Sequence, residues 1–269
     1  MGVPEMGVAS AFAKAKVDRR SVLIGYLPVG FPDVPGSLDA MRAMVQAGVD
    51  VVEVGMPYSD PVMDGPTIQA AAEQALRNGV RTKDIFKAVE AVAAAGAPAL
   101  VMTYWNPVER YGVERFAADL ANAGGAGLIT PDLIPDEADD WLAASEAHAL
   151  DRVFLVAPSS TTARIASTVA ACRGFVYATA VMGVTGARES TSAAAPALVE
   201  RVRAATDLPV GIGLGVSNGT QAAEVAGYAD GVIVGSALVR CLLDAPDKAS
   251  GLKAISALSA DLAAGVHAS

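Results

Sequence analysis

The sequence is poor in the residues that usually carry metal, redox or covalent chemistry. Its 269 residues include two cysteines and two histidines. Cys172 and Cys241 are too few and too far apart for a zinc motif or a disulfide scaffold, so a reduced, cytoplasmic setting is the expectation. His148 lies in an alanine-rich helical stretch and His267 close to the end of the sequence. Neither has a ligand-type neighbour at helical or turn spacing, and both read as structural or solvated. No Gly-x-Ser-x-Gly elbow occurs, and no Gly-x-Gly-x-x-Gly follows the first strand, which weighs against dinucleotide binding. No uninterrupted apolar run approaches the ~20 residues of a membrane-spanning helix. Met1 to Arg20 mixes Lys14, Lys16, Asp18, Arg19 and Arg20 with alanines, unlike a secretory signal. A formal net charge of −9 disfavours nonspecific nucleic-acid binding, while leaving room for a local basic patch.

What is present is a regular alternation. Apolar residues make up 52% of the chain. Short β-branched runs at 21–27, 50–55, 99–104, 127–130, 152–156, 174–179, 209–213 and 231–235 read as strands. Alanine-rich helical stretches lie between them, near 36–47, 67–78, 82–95, 113–123, 137–149, 162–171, 196–205 and 217–226. One further helix closes the chain from Ala237, and an extra one opens it around 9–17. Eight βα units predict right-handed crossovers and a parallel sheet, which at this length closes into a (β/α)8 TIM barrel with an added N-terminal helix. The strands are apolar on both faces, as a sheet covered by helices outside and packed within requires. A single barrel domain over 1–269 is expected. A doubly wound open sheet is the alternative at the level of fold.

Reactive groups in such a barrel belong at the C-terminal ends of the strands. Glu53 is an acid inside an otherwise apolar strand, on the same side as Val51 and Gly55. A buried carboxylate costs several kcal/mol unless paired or functional, and here function outweighs a merely satisfied core acid. Asp64, in Met-Asp-Gly-Pro, fits a catalytic acid and a turn residue or helix N-cap equally on local pattern. Asp60, in Ser-Asp-Pro, reads as structural or interfacial. Tyr177 fits either a satisfied core tyrosine or a site residue. Glycine loops after the seventh strand (Gly211, Gly213, Gly215, then Ser217) and the eighth (Gly235, Ser236) match the recurring phosphate site of this fold. Gly183 and Gly186 follow the sixth strand, and the small, polar run 186–193 around Arg188 suits a mobile lid in which Thr185 reaches back toward Asp64. Lys14, Lys16, Lys83, Lys87, Lys248 and Lys253 all fall in helices or loops, where a Schiff-base lysine would not sit.

The stretch 52–69, Val-Glu-Val-Gly-Met-Pro-Tyr-Ser-Asp-Pro-Val-Met-Asp-Gly-Pro-Thr-Ile-Gln, closely resembles the signature of the tryptophan synthase α subunit family. The resemblance extends along nearly the whole chain. It takes in Gly25-Tyr26-Leu-Pro-Val-Gly30, Tyr104-Trp-Asn106-Pro107, Asp132, Gly-Val-Thr-Gly, Gly-Leu-Gly-Val-Ser and Gly-Ser-Ala. It implies a lyase of tryptophan biosynthesis that splits indole-3-glycerol phosphate into indole and glyceraldehyde 3-phosphate. By the same resemblance Glu53 and Asp64 are the catalytic acids, and Tyr177 contacts the substrate. Tyr26 stands where relatives often carry phenylalanine beside the indole. Gly186, Gly215, Gly235 and Ser236 hold the phosphate. Met63 replaces a small residue, and Ala180-Val181 a polar pair, found in other members.

The chemistry implied is a reverse aldol reaction with no metal or organic cofactor in this subunit. Glu53, its pKa raised by its apolar strand, donates a proton to indole C3, and Asp64, on a wetter loop, stays ionised against the ring N–H. The resemblance further implies a pyridoxal-phosphate-dependent β subunit as partner in an allosteric α2β2 tetramer, docking over Pro57, Tyr58 and Asp60. Two other readings remain open to the sequence: a different phosphate-binding barrel enzyme, and a noncatalytic partner that binds indole compounds.

Overall fold

The computed structural model describes residues 7–180 and 194–267. Within them the chain runs α1 (Val8–Val17), β1 (Val22–Pro28), α2 (Val34–Gln46), β2 (Val51–Gly55), α3 (Pro66–Arg77), α4 (Thr82–Ala94) and β3 (Ala99–Met102). It continues through α5 (Trp105–Tyr111), α6 (Val113–Asn122), β4 (Gly127–Ile129), α7 (Asp139–Ala147), β5 (Asp151–Val153), β6 (Leu155–Val156) and α8 (Thr162–Ala171). The last third holds β7 (Val176–Thr179), α9 (Ala194–Arg203), β8 (Val210–Gly213), α10 (Gly219–Ala226), β9 (Gly231–Val234), α11 (Ser236–Leu243) and α12 (Lys248–His267). Every strand pairing is parallel, in the order β5-β4-β3-β2-β1-β9-β8-β7-β6.

The two ends of that order are neighbours in the chain. β5 pairs backward with β4 and β6 pairs forward with β7, and Phe154 alone separates them. The expected strand at 152–156 is therefore one barrel strand broken in the middle, and the sheet closes on itself as a TIM barrel. Phe154 is 1% exposed and joins the outer core, while Tyr177 N–H donates to its carbonyl. The backbone thus carries the ring across the break.

Alternation along the strands builds two cores. Val22 and Ile24 of β1, Val51 of β2, Leu100 of β3 and Ile233 of β9 face inward, whereas Leu23, Val52, Val54 and Val101 face the helices. This is why the strands read as apolar on both sides. Val8, Phe12 and Ala15 of α1 close the N-terminal end of the interior, and the Phe12 ring lies 5.6 Å from that of Phe175. Arg20, just after α1, grips Asp50 with two 2.8 Å hydrogen bonds, and Asp50 accepts a third from Leu23 N–H.

Three local expectations are corrected. Trp105–Tyr111 is a helix, not a loop: Pro107 falls in its first turn, where a missing N–H breaks no intrahelical bond. The closing helix is two helices, because 244–247 include Pro246 and interrupt it after Leu243. The helix expected from Glu137 begins at Asp139, after a single 3-10 turn at Pro135–Glu137. Among the described residues no helix is long and apolar enough to cross a membrane.

Because α1 seals the interior through Phe12, truncating that ring to Phe12→Ala should cost about 3 kcal/mol of stability. Urea unfolding, with the slope unchanged, is the measurement.

Candidate active site

The C-terminal mouth of the barrel gathers its unusual residues around β2. Glu53 is in register with Tyr26 on one side and Leu100 on the other. Its side chain takes the inward side that Val51 and Gly55 share, and it is 1% exposed. Its Oε1 has no hydrogen-bond partner among the described residues. With no partner to offset desolvation, burial lifts the carboxyl pKa from 4.5 to about 8. The acid is therefore neutral and holds a transferable proton near neutral pH.

Asp64 reaches the same space from the loop after β2. The cap of α3 is Gly65, so Asp64 is not the N-cap, and its side chain is free to face the site. Tyr104 Oη donates to Asp64 Oδ1 at 3.1 Å and accepts from Met63 N–H at 3.0 Å. Gln69 Nε2 donates to the Asp64 carbonyl at 2.7 Å, which ties the loop to the first turn of α3. Asp64 is less wet than its sequence context suggests: burial raises its pKa, and the Tyr104 hydrogen bond opposes that rise. Met63 joins this network through its backbone N–H, so the network does not depend on which side chain it carries.

Tyr26 and Tyr177 flank Glu53. Both phenols are pushed well above their ordinary range, first by burial and then by neighbouring charge: Asp64 and Glu53 for Tyr26, Glu53 for Tyr177. Each ring rests on a glycine of another strand. A Cβ at Gly55 would fall 2.6 Å from Tyr26 Oη and Cε2, and one at Gly213 would fall 2.7 Å from Tyr177 Oη. Gly213 is thus explained by Tyr177 as much as by an anion. Gly235 is different, since a Cβ there would meet Tyr26 Cδ1 at an ordinary 3.5 Å. Packing against Tyr26 therefore does not demand glycine at that position. Gly215 has φ +89°, a conformation that favours glycine, in the turn beyond β8. Ser236 is buried and opens α11 directly after Gly235, so free N–H groups of a helix terminus stand at the end of β9.

The structure therefore brings Glu53, Asp64, Tyr26, Tyr177, Gly213 and Gly235 to one mouth, with Gly215 and Ser236 at its rim. Thr185, Gly186, Gly183 and the lid run 186–193 with Arg188 lie outside the described residues. Tyr104 was not assigned a role from sequence. Its ring also lies 5.2 Å from that of Tyr58, tilted by 34°, and the Tyr58 hydroxyl accepts from Asn106 Nδ2. Asp132 accepts from Trp105 N–H at 2.9 Å, fixing the start of α5, and Asp60 is exposed and accepts a bond from Ser59 Oγ. His148 contacts Glu114 on the surface, and no group of three potential metal ligands occurs among the described residues.

The whole chain is similar to one family of known proteins. A family model described as tryptophan synthase alpha chain matches residues 12–267. The tryptophan synthase alpha chain of Salinispora arenicola is 68% identical over 260 residues, covering 97% of each chain. That of Nocardia farcinica is 64% identical, covering 97% of this chain and 96% of its own. A solved structure of Mycobacterium tuberculosis tryptophan synthase superposes with a TM-score of 0.92 at 62% identity, over 97% of this chain and 98% of that one. The tryptophan synthase subunit alpha of Legionella pneumophila does so with a TM-score of 0.85 at 30% identity, over 96% and 97%.

Two outcomes follow from the geometry. Gly213→Ala should destabilise the fold by about 1–3 kcal/mol, and adding Tyr177→Phe should recover most of that loss, because the hydroxyl makes the close approach. Gly55→Ala should not be rescued by Tyr26→Phe, since ring carbons as well as the hydroxyl lie within 2.7 Å of the added Cβ. Urea midpoints of the single and double variants decide both. For Glu53, the folded chain holds a proton that the unfolded chain releases between pH 4.5 and about 8, so stability falls as pH rises through that window. Glu53→Gln abolishes that loss and should therefore gain on the wild type toward pH 8 in thermal unfolding.

Proposed function

The chain belongs to the tryptophan synthase alpha chain family, and on that premise we propose that Glu53 and Asp64 are the acid pair of its lyase reaction. The reaction is the cleavage of indole-3-glycerol phosphate to indole and glyceraldehyde 3-phosphate in tryptophan biosynthesis. The observation that carries the assignment is a buried, neutral carboxyl on an inward strand position, its Oε1 without a partner among the described residues, beside a second acid held by a phenol.

Breaking the bond from indole C3 to the glycerol phosphate chain requires the ring to accept the bonding electrons. Glu53 donates its proton to C3, which makes the ring an indoleninium cation. The carboxylate left behind then takes the proton of the hydroxyl next to the breaking bond. As the carbonyl of the aldehyde forms, the carbon–carbon bond electrons return to the ring and release indole. Asp64 accepts a hydrogen bond from the ring N–H and stabilises its positive charge, and the Tyr104 hydrogen bond favours the ionised form. Tyr26 and Tyr177 wall the indole. Gly213, Gly215, Gly235 and Ser236 bind the phosphate through backbone N–H groups and the α11 terminus, which suits an acidic chain with an anionic substrate. Gly186 and Thr185 complete that site in this reading.

No cofactor is required by these steps. A tryptophan synthase β subunit carrying pyridoxal phosphate is the partner, in an α2β2 tetramer within the cytoplasm. Indole is apolar and would escape unless consumed by an adjoining site. The face bearing Pro57, Tyr58 and Asp60 flanks Asp64 and is the docking side.

Glu53→Gln should fold and bind substrate yet lose roughly 10²–10⁴-fold in turnover. Activity within about threefold of wild type would sink the acid assignment, on that same scale. Asp64→Asn should be similarly disabled. Tyr104→Phe should lose about tenfold in kcat, since one hydrogen bond to a charged acceptor is lost. Light scattering with the β subunit tests the assembly: a free α monomer under those conditions contradicts it.

A further inference from the structure

Glu53 has to work in two protonation states, and its resting surroundings favour only one. Burial keeps the carboxyl protonated before reaction. Once that proton has gone to indole C3, a carboxylate stands in an apolar interior, where an unpartnered charge is costly. No hydrogen bond contributes to the Glu53 pKa, which burial alone moves, and Oε1 has no partner among the described residues.

A donor stands beside it unused. Tyr26 on β1 is the in-register neighbour of Glu53 on β2, and both side chains take the inward side. The Tyr26 ring leans across onto β2, so that its Oη lies 2.6 Å from where a Cβ at Gly55 would be. Gly55 follows Glu53 by two residues on the same face, a rise of roughly 6.6 Å toward the mouth. A glutamate carboxyl extended toward the mouth therefore rises toward this hydroxyl. The hydroxyl makes no hydrogen bond among the described residues, and it is not one of the sealed, unpartnered atoms of the interior, so it opens into the mouth. Burial first, then Asp64, Glu53 and Tyr104, push its pKa well above the ordinary value, so it remains a donor. The other candidates are engaged elsewhere. Tyr177 leans onto β8, where its Oη meets the Gly213 position at 2.7 Å, and Tyr104 already donates to Asp64.

We propose that Tyr26 is a positioning residue for Glu53: when the glutamate has given up its proton, the phenol donates to the carboxylate and holds it against the substrate hydroxyl that it deprotonates next. Tyr26 keeps its own proton throughout, and Glu53 ends the cycle protonated as it began. This role rests on Glu53 being the acid, and two readouts keep the claims apart. Side-chain ¹³C titration of the full chain, with Glu53 identified by the signal lost in Glu53→Gln, reads the pair without turnover. Tyr26→Phe keeps the ring and removes the donor to the ionised form. The Glu53 pKa should then rise by about one to two units, the worth of a hydrogen bond to a charged group. In steady-state cleavage of indole-3-glycerol phosphate, kcat should fall at least about tenfold with KM within about twofold of wild type. The alkaline limb of kcat/KM should move up with the Glu53 titration. A Glu53 titration and an alkaline limb that stay in place would overturn the proposal while leaving an inactive Glu53→Gln as evidence for the acid. Movement of the acidic limb alone would assign the hydroxyl to Asp64 and overturn it as well. Turnover retained in Glu53→Gln would remove the acid assignment, and this role with it, whatever the titration shows.

Discussion

A barrel interior packed with apolar side chains sets the terms for everything else in this protein. Closing a parallel sheet on itself forces the inward side chains to fill a narrow space, and apolar residues fill most of it, from Val22, Ile24 and Val51 to Leu100 and Ile233. A carboxyl placed in that space at Glu53 loses its hydration, and its Oε1 gains no partner among the described residues, so it keeps its proton. The same packing that stabilises the fold thereby makes an acid out of a residue that would be a carboxylate anywhere on the surface. Retention of a proton and a local cost in stability are two descriptions of the same carboxyl.

The second acid depends on a different kind of control. Asp64 sits on a loop, and loops alone position side chains loosely. Three anchors remove that freedom: the phenol of Tyr104 on its carboxylate, the same phenol on Met63 N–H, and Gln69 on its carbonyl. Tyr104 itself stands between β3 and α5, where Asp132 fixes the next residue. The strand framework therefore reaches the loop through side chains from two later βα units. Tyr26 and Tyr177 are controlled instead by what is missing beneath them, a Cβ at Gly55 and at Gly213.

Most of the architecture was legible because it is written in a short period. Two-sided apolar runs alternating with alanine-rich stretches specify βα units directly, and Glu53 stands out as the acid that violates that pattern. What was not legible depends on register or on contacts far apart in sequence. The break at Phe154 leaves no local mark, since 152–156 reads as one continuous strand. Trp105–Tyr111 was hidden by Pro107, a residue that forbids a helix interior but not a first turn. Tyr104 meets Asp64 across forty positions of chain, so no spacing rule could pair them. Gly213 carried an ambiguous signal, because a glycine that lets an anion approach and one that seats a phenol look alike in sequence.

The broken strand has a consequence for how the ring closes. β1 and β2 are joined by five residue pairs, whereas β6 meets β7 through two and β5 meets β4 through three. The short β6–β7 pairing is reinforced at this seam by Tyr177 N–H on the Phe154 carbonyl and by a two-bond bridge between Arg152 and Arg173. A cylinder of this kind is better pictured as a clasped bracelet than as a continuous hoop, with its clasp at Phe154.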